Sequence, residues 1–300
     1  VDGRRSRIRK EGLVPGRKNM ERSKKKIIII YSLALAAVVA ILVLVVKFSL
    51  DFVRERVKPA QTVPVRTTVS VTFPEGFTVY DIAKRLEENQ VCSMSDFLLA
   101  VNDDENLGAF AGDIVNGEER AFKLEGYLFP DTYEFYRNSM PQSVISKFLK
   151  NTEAKITRAM RSRAAERGMT VDQVITLASI IQEEASDPEK MGKVSSVFHN
   201  RLKSDSFPKL QSDSTSFYVE NSLKPCFEDV EKFTEVYDTY KCKGLPAGAI
   251  CNPGMDAINA ALEPEQTDYY YFVSDNDNNY YYAKTYEQHK ENCAAVGLRG

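Results

Sequence analysis

The chain has 300 residues, 43% of them hydrophobic, and a formal net charge of −2, which is too long for one small domain and enough for a sizeable core. The near-neutral total hides a split: residues 1–26 carry eleven Lys/Arg against Asp2, Glu11 and Glu21, a net +8, which leaves −10 for the remainder. A basic arm on an acidic body argues against a nucleic-acid partner, because such a protein carries its positive charge on the folded domain.

Residues 1–26 are polar and basic, without hydrophobic period, and read as a disordered cytoplasmic tail. Residues 27–46, "IIIIYSLALAAVVAILVLVV", form twenty positions without a charge. As a helix they span roughly 30 Å, the thickness of a bilayer's hydrocarbon core. No small-residue cleavage pattern follows, so they read as a retained transmembrane anchor rather than a signal peptide. The charge bias places the tail in the cytoplasm and everything beyond residue 47 outside. Residues 47–64 are a juxtamembrane stalk ending at Pro59 and Pro64.

Residues 65–120 read as a small module. "TTVSVTF" is a β-branched, alternating strand. Thr78 opens a helix with Asp81 in the capping-box position, and Val79, Ile82, Ala83 and Leu86 share one helical face. Ser95 is the expected cap of a second short helix. The text "PEGFTVYDIAKRL" resembles glycan-binding LysM modules. From 121 to 300 a mixed α+β domain is expected: an aromatic turn, "FKLEGYLFPDTYEF", then helices over 141–167, from Thr170, over 189–203 and over 255–262. An aromatic hairpin turns at "DNDNN". Its tyrosine runs, 269–271 and 280–282, alternate faces, so at most half can meet a ligand.

Five cysteines, Cys92, Cys226, Cys242, Cys251 and Cys293, show no C-x-x-C spacing, which disfavours zinc and thioredoxin-like chemistry. Cys242 and Cys251 flank a Gly/Pro-rich loop and could pair; free buried thiols are the alternative. Two histidines, His199 and His289, make a poor zinc site, and no H-E-x-x-H, G-x-S-x-G, P-loop or dinucleotide fingerprint is present. What remains is carboxylate chemistry.

The helix "VITLASIIQEEA" ends in Glu183 and Glu184. On a helical wheel, Val171, Ala178, Ile181 and Ala185 mark the buried pole. Glu183 falls opposite them, facing water; Glu184 lies on the shoulder beside Leu177 and Ile180. Partial burial against apolar neighbours favours a protonated carboxyl, the requirement for a general acid near neutral pH. The wheel therefore selects Glu184, with an ion-paired helix-end carboxylate as the bland alternative.

The segments "LEGYLFPDTYEF", "LASIIQEEA", "VFHNRLKSDSFPKLQSDSTSFY" and "YDTYKCKGLPAGAICNPGMDAINAALEPEQTDYYYFVSD", with His289 beyond them, resemble in order and spacing the MltG (YceG-like) endolytic murein transglycosylases over about residues 65–296. The resemblance implies an α+β fold: a single N-terminal transmembrane helix, a small LysM-like subdomain and a mixed catalytic domain. It implies Glu184 as the catalytic residue, with Gln182 where the family motif has its first glutamate, and "QSDST" where the family reads Q-T-D-P-T. It further implies one carboxylate that protonates the bond between MurNAc and GlcNAc and then deprotonates the MurNAc C6 hydroxyl, giving 1,6-anhydroMurNAc ends. Gln211, Ser212, Asp213, Asn200, Tyr218 and Tyr240 are the candidates for holding substrate. Asn200 could instead bridge helices, and Asp213 could pair with Arg201. Glu125 and Asp131 are expected to buttress the cleft. No cofactor or metal is required. Peptidoglycan glycan strands are the expected partner, together with the cytoplasmic membrane through residues 27–46, peptidoglycan synthases, and division or elongation proteins. Two other readings stay open: a non-catalytic peptidoglycan-binding scaffold, and a hydrolysing muramidase using Glu184 with a second acid such as Asp213.

Overall fold

The structure, a computed structural model, describes residues 16–56, 67–114, 116–207 and 209–297. It divides into two units, Val1–Val65 and Arg66–Gly300. Among the described residues the first unit is one helix, α1 (Gly16–Arg56). Its stretch Met20–Arg54 is long and apolar enough to cross a membrane. The helix begins before the apolar run and outlasts it, so residues 16–26 and 47–56, expected as tail and stalk, are helical. The rest of the tail and of the stalk lies outside the described residues.

The second unit opens with β1 (Thr68–Thr72), α2 (Val79–Glu88) and α3 (Met94–Ala100). Thr78 caps α2 in a full capping box with Asp81, as its spacing predicts. Helix α3 is capped by Ser93, not Ser95: the Ser93 hydroxyl accepts the Asp96 N–H at 3.2 Å. Strand β1 pairs antiparallel with β2 (Thr132–Tyr136), Val69 opposite Phe135 and Val71 opposite Tyr133. The aromatic turn expected around 122–135 thus ends in a strand, and the small sheet spans position 120. Alternation puts Val71, Tyr133 and Phe135 on its buried face. There Tyr133 and Phe73 pack on Phe148, with ring centroids 4.4 and 5.1 Å apart.

The helix expected over 141–167 is two, α4 (Pro141–Lys155) and α5 (Arg158–Glu166). Ile156 leaves helical geometry, and Thr157 restarts the helix by capping Met160 N–H. Next come α6 (Val171–Glu184), started by the Thr170–Gln173 capping box, and α7 (Pro188–Leu202). After α8 (Asp213–Tyr218) and α9 (Glu231–Tyr237), α10 (Met255–Leu262) packs on α6 and α7. The chain closes with the hairpin β3 (Tyr271–Ser274) and β4 (Tyr280–Ala283), then α11 (Tyr286–Ala295).

Helix α6 runs through the core. Every residue from Val174 to Ile181 is buried, Thr176 and Ser179 included. A helix aliphatic on all sides is enclosed on all sides, so it has no single buried pole; solvent is reached at its two ends, at Val171 and Gln173 in the first turn and from Gln182 to Glu184 in the last. Its first turn is fixed by a buried charge. Asp172 accepts from the Arg120 guanidinium and from the Tyr127 hydroxyl, the latter at 2.6 Å. Burial pulls the Arg120 pKa down, but the bond to Asp172 together with the charge of Asp172 and the nearby Tyr127 and Tyr237 outweighs it, and the guanidinium is held charged. The turn carrying Tyr127 passes close over α6 at Gly126, whose φ is +88°. A Cβ there would lie 2.6 Å from both Ala249 Cβ and Ile175 Cγ2. Replacing Gly126 with Ala combines left-handed strain with overpacking and should destabilise the fold by about 2–4 kcal/mol. Denaturant unfolding of the variant checks this.

All five cysteines are free. Cys251 is buried with its thiol turned to the Ser179 carbonyl, 3.4 Å away, so the bridge to Cys242 is not formed.

Candidate active site

Glu184 is the last residue of α6, where the helix emerges from the core. The helix ends because Ala185 turns extended, its N–H closing the final bond to Ile181 at 2.9 Å. The β3–β4 hairpin secures that end. The Tyr280 hydroxyl donates to the Glu184 carbonyl at 2.6 Å, and the Asn278 amide donates to the Ser186 hydroxyl at 3.2 Å. The Glu184 carboxylate, half-buried, accepts from the Ser212 hydroxyl at 2.5 Å and from the Ser214 hydroxyl, both at Oε1.

Two clefts meet at this carboxylate. The first, about 430 Å³, is lined by Asp81, Glu183, Glu184, Asp213, Ser214, Phe217 and Tyr218, and no Lys, Arg or His is among its lining residues. The second, about 670 Å³, is lined by Glu184, Arg201, Gln211, Ser212, Asp213, Tyr240, the β3 strand, Tyr286 and His289. Both fall in the size range of ligand sites. Glu184 and Asp213 are the residues common to the two.

The sequence candidates distribute unevenly over this site. Asp213, exposed, accepts from the Tyr240 hydroxyl at 2.8 Å, so it pairs with Tyr240 and not with Arg201. Arg201 instead donates to the carbonyls of Tyr270 and Leu210. Tyr240 lies at the rim of the second cleft, its phenol pushed up to about 12 by burial and by Asp213. Gln211 adopts φ +53°, uncommon outside glycine, while its N–H is held by the Thr239 carbonyl at 3.2 Å. Tyr218 is buried behind the first cleft with its hydroxyl on Glu125 at 3.1 Å. Asn200 lines neither cleft; its amide donates to the carbonyls of Thr267 and Tyr269, joining α7 to the strand segment. His199 is buried, 2.9 Å from the Ala261 carbonyl. His289 stacks on Tyr271 in the second cleft, with the buried Cys293 thiol 3.6 Å away.

Glu125 supports the first cleft as anticipated, whereas Asp131 does not reach it. Asp131 is exposed and accepts from Asn151 and from Thr132 N–H in the turn before β2. Glu125, 1% exposed, accepts from Val79 N–H at the start of α2, from Tyr218, and from Asn252. Asn252 in turn holds the Phe77 carbonyl and Leu128 N–H. The turn before α2 is thereby fastened beside α6, and Thr78 and Asp81 reach the cleft. Burial pushes the Glu125 carboxyl up to about 8 against the pull of Val79 N–H and Tyr218. Between pH 4.5 and 8 the folded protein therefore keeps a proton that the unfolded chain has released. The stabilisation is complete below 4.5 and is lost as pH rises through 8. Thermal unfolding midpoints of the wild type should fall over this window, and Glu125→Gln should flatten the fall.

Glu183 departs from the wheel reading. It is exposed, as predicted, but to the first cleft, and its carboxyl is raised by desolvation, with neighbouring Glu184 and Asp81 adding to the effect. The enclosing groups come from elsewhere in the chain. Gly76 approaches so closely that a Cβ there would sit 3.0 Å from Glu183 Oε1, and the buried Cys251 lies beside the carboxyl. Gln182 serves structure: its side-chain oxygen accepts Gly254 N–H at 2.9 Å. Ser214, Phe217 and Tyr280 were not singled out as site residues by sequence. Only the run of hydroxyls in "QSDST" hinted at one of them.

The body is α+β, with the half-buried Glu184 carboxylate where two open clefts meet. The chain belongs to the YceG-like family, whose profile matches residues 50–295. It is similar to the endolytic murein transglycosylase of Bacillus subtilis (strain 168), with 30% identity over 232 residues, 74% of this chain and 63% of that protein. It is also similar to the endolytic murein transglycosylase of Streptococcus pneumoniae serotype 2 (strain D39), with 29% identity over 251 residues, 77% of this chain and 45% of that protein. The chain thus spans less than two thirds of the length of these curated relatives. Among solved structures, a YceG-like protein of Listeria monocytogenes, crystallised at 2.6 Å resolution, superposes with a TM-score of 0.65 at 30% identity over 80% of each chain.

Proposed function

We propose that this protein is a membrane-anchored endolytic lytic transglycosylase that cuts peptidoglycan glycan strands between MurNAc and GlcNAc. The observation that carries the reading is the position of Glu184, with a cleft on either side of it. A polymer lying through both clefts meets the acid at an internal bond, which is what cutting within a chain requires. The names of the relatives agree.

In this mechanism Glu184 gives its proton to the glycosidic oxygen as the bond to MurNAc C1 breaks. The carboxylate then takes the proton of the C6 hydroxyl of the same sugar as that oxygen closes on C1. The product end is a 1,6-anhydro ring. The nucleophile is already in the substrate, so proximity replaces an activated water, and one carboxylate suffices where hydrolysis needs two. In this reading Asp213, Tyr240 and Gln211 hold sugar hydroxyls, and Ser212 and Tyr218 shape the walls. Helix α1 is the anchor, with the basic residues ahead of its apolar stretch inside and the body outside. The order β1, α2, α3, β2 supports the reading of a LysM-like subdomain, with β2 added to its expected bounds, that offers the turn before α2 to the glycan. Peptidoglycan synthases and division or elongation proteins are the partners this role implies.

The test is digestion of uncross-linked glycan strands by the full chain in detergent, read by mass spectrometry and size distribution. The reading expects internal cuts with anhydroMurNAc ends. Reducing ends would make the protein a muramidase, and intact strands would leave a peptidoglycan-binding scaffold.

A further inference from the structure

Both hydroxyls that reach Glu184, those of Ser212 and Ser214, point at the same oxygen, Oε1. Among the described residues Oε2 has no hydrogen-bond donor. A serine hydroxyl carries one hydrogen: that of Ser214 goes to Oε1, and that of Ser212 has Oε1 at 2.5 Å as its nearer acceptor, with the Ser214 hydroxyl oxygen at 3.2 Å as the other. We infer that Ser212 and Ser214 are positioning residues that lock Oε1 as a permanent acceptor, so that Oε2 alone carries the proton in glycoside cleavage. The inference rests on the catalytic reading of Glu184.

The serines are themselves held. Ser212 is buried; its N–H donates to the Thr239 hydroxyl at 2.9 Å, and its carbonyl accepts from Thr215 at 2.8 Å. Ser214 sits in the first turn of α8, half-buried at the edge of the first cleft. A proton on Oε1 would meet two hydroxyl hydrogens and turn one of them away; on Oε2 it meets none. The protonated carboxyl therefore keeps both serine bonds while Oε2 delivers its proton to the leaving oxygen. It keeps them again while Oε2 collects the proton of the C6 hydroxyl as the ring closes. The carboxyl need not rotate between the two half-steps, and its plane is fixed before substrate arrives, which is the geometric precision that proximity catalysis needs.

The experiment compares wild type, Ser214→Ala, Ser214→Thr, the double variant Ser212→Ala/Ser214→Ala and Glu184→Gln on glycan strands, with kcat and KM separated. We expect kcat of the double variant to fall about tenfold or more with KM within about twofold, because the lost term is alignment in the transition state. Ser214→Ala should show a smaller fall, which Ser214→Thr, with its hydroxyl, recovers. Ser214→Ala keeps the test open should the double variant fail to fold. Full kcat in the double variant, a loss confined to KM, or threonine no better than alanine overturns the inference. In those cases an active wild type beside a dead Glu184→Gln leaves the proposed function standing; an inactive wild type ends both.

Discussion

Glu184→Gln should abolish strand cleavage, with a loss of about a thousandfold or more, while the protein still folds. The amide is isosteric and its oxygen can still accept from Ser212 and Ser214, so the end of α6 keeps its support. What disappears is the exchangeable proton. General acid–base groups contribute about 10²–10⁴-fold, and here one group serves both half-steps. Glu183→Gln is the discriminating control. Glu183 shares the first cleft and has the raised carboxyl, yet it lines only that cleft, so its amide should keep activity within about tenfold. Product release by chromatography and thermal unfolding of both variants check the pair. A dead Glu183→Gln beside an active Glu184→Gln would move the chemistry to the neighbouring residue.

Asp172→Ala should be the most damaging change to stability. It strips a buried guanidinium of its carboxylate and leaves the Tyr127 hydroxyl without its acceptor. Removing one partner of a buried ion pair costs about 3–5 kcal/mol, because the other charge stays buried and uncompensated. Arg120 keeps one neutral partner, Asn116 Oδ1 at 2.8 Å, which is too little to carry the charge. For a folded body of this size the thermal midpoint should drop by roughly 10 °C. Asp172→Asn, which can still accept, should lose less. A midpoint within 2 °C of wild type in Asp172→Ala would show that Arg120 finds another way to be solvated. Activity should fall with stability, because Asp172 anchors the first turn of the helix whose last residue is Glu184.

Much of this was legible in the sequence wherever the signal was local. The capping boxes at Thr78 and Thr170, the bounds of α10 and the hairpin around "DNDNN" follow from residues within four positions of each other. What failed were contacts across the chain. Strand β1 finds β2 about sixty residues on, and nothing in "TTVSVTF" specifies that partner. Nothing local to Arg120 or Asp172 foretells that the fold buries them together. The wheel located Glu184 at the exit of α6, but it sees only neighbours on its own helix. It therefore missed Gly76, Asp81 and Cys251 around Glu183, and the two serines that hold Glu184. The break before α5 was within reach: Thr157, three residues before Met160, is an N-cap inside what read as one helix.

The most direct test of the central claim is digestion in H₂¹⁸O. If the sugar's own C6 oxygen attacks C1, no solvent oxygen enters the product, and the new MurNAc ends should carry no label. Incorporation of ¹⁸O at C1 in stoichiometric amount would mean that water is the nucleophile, and a single-carboxylate transglycosylase could not be the account of this site.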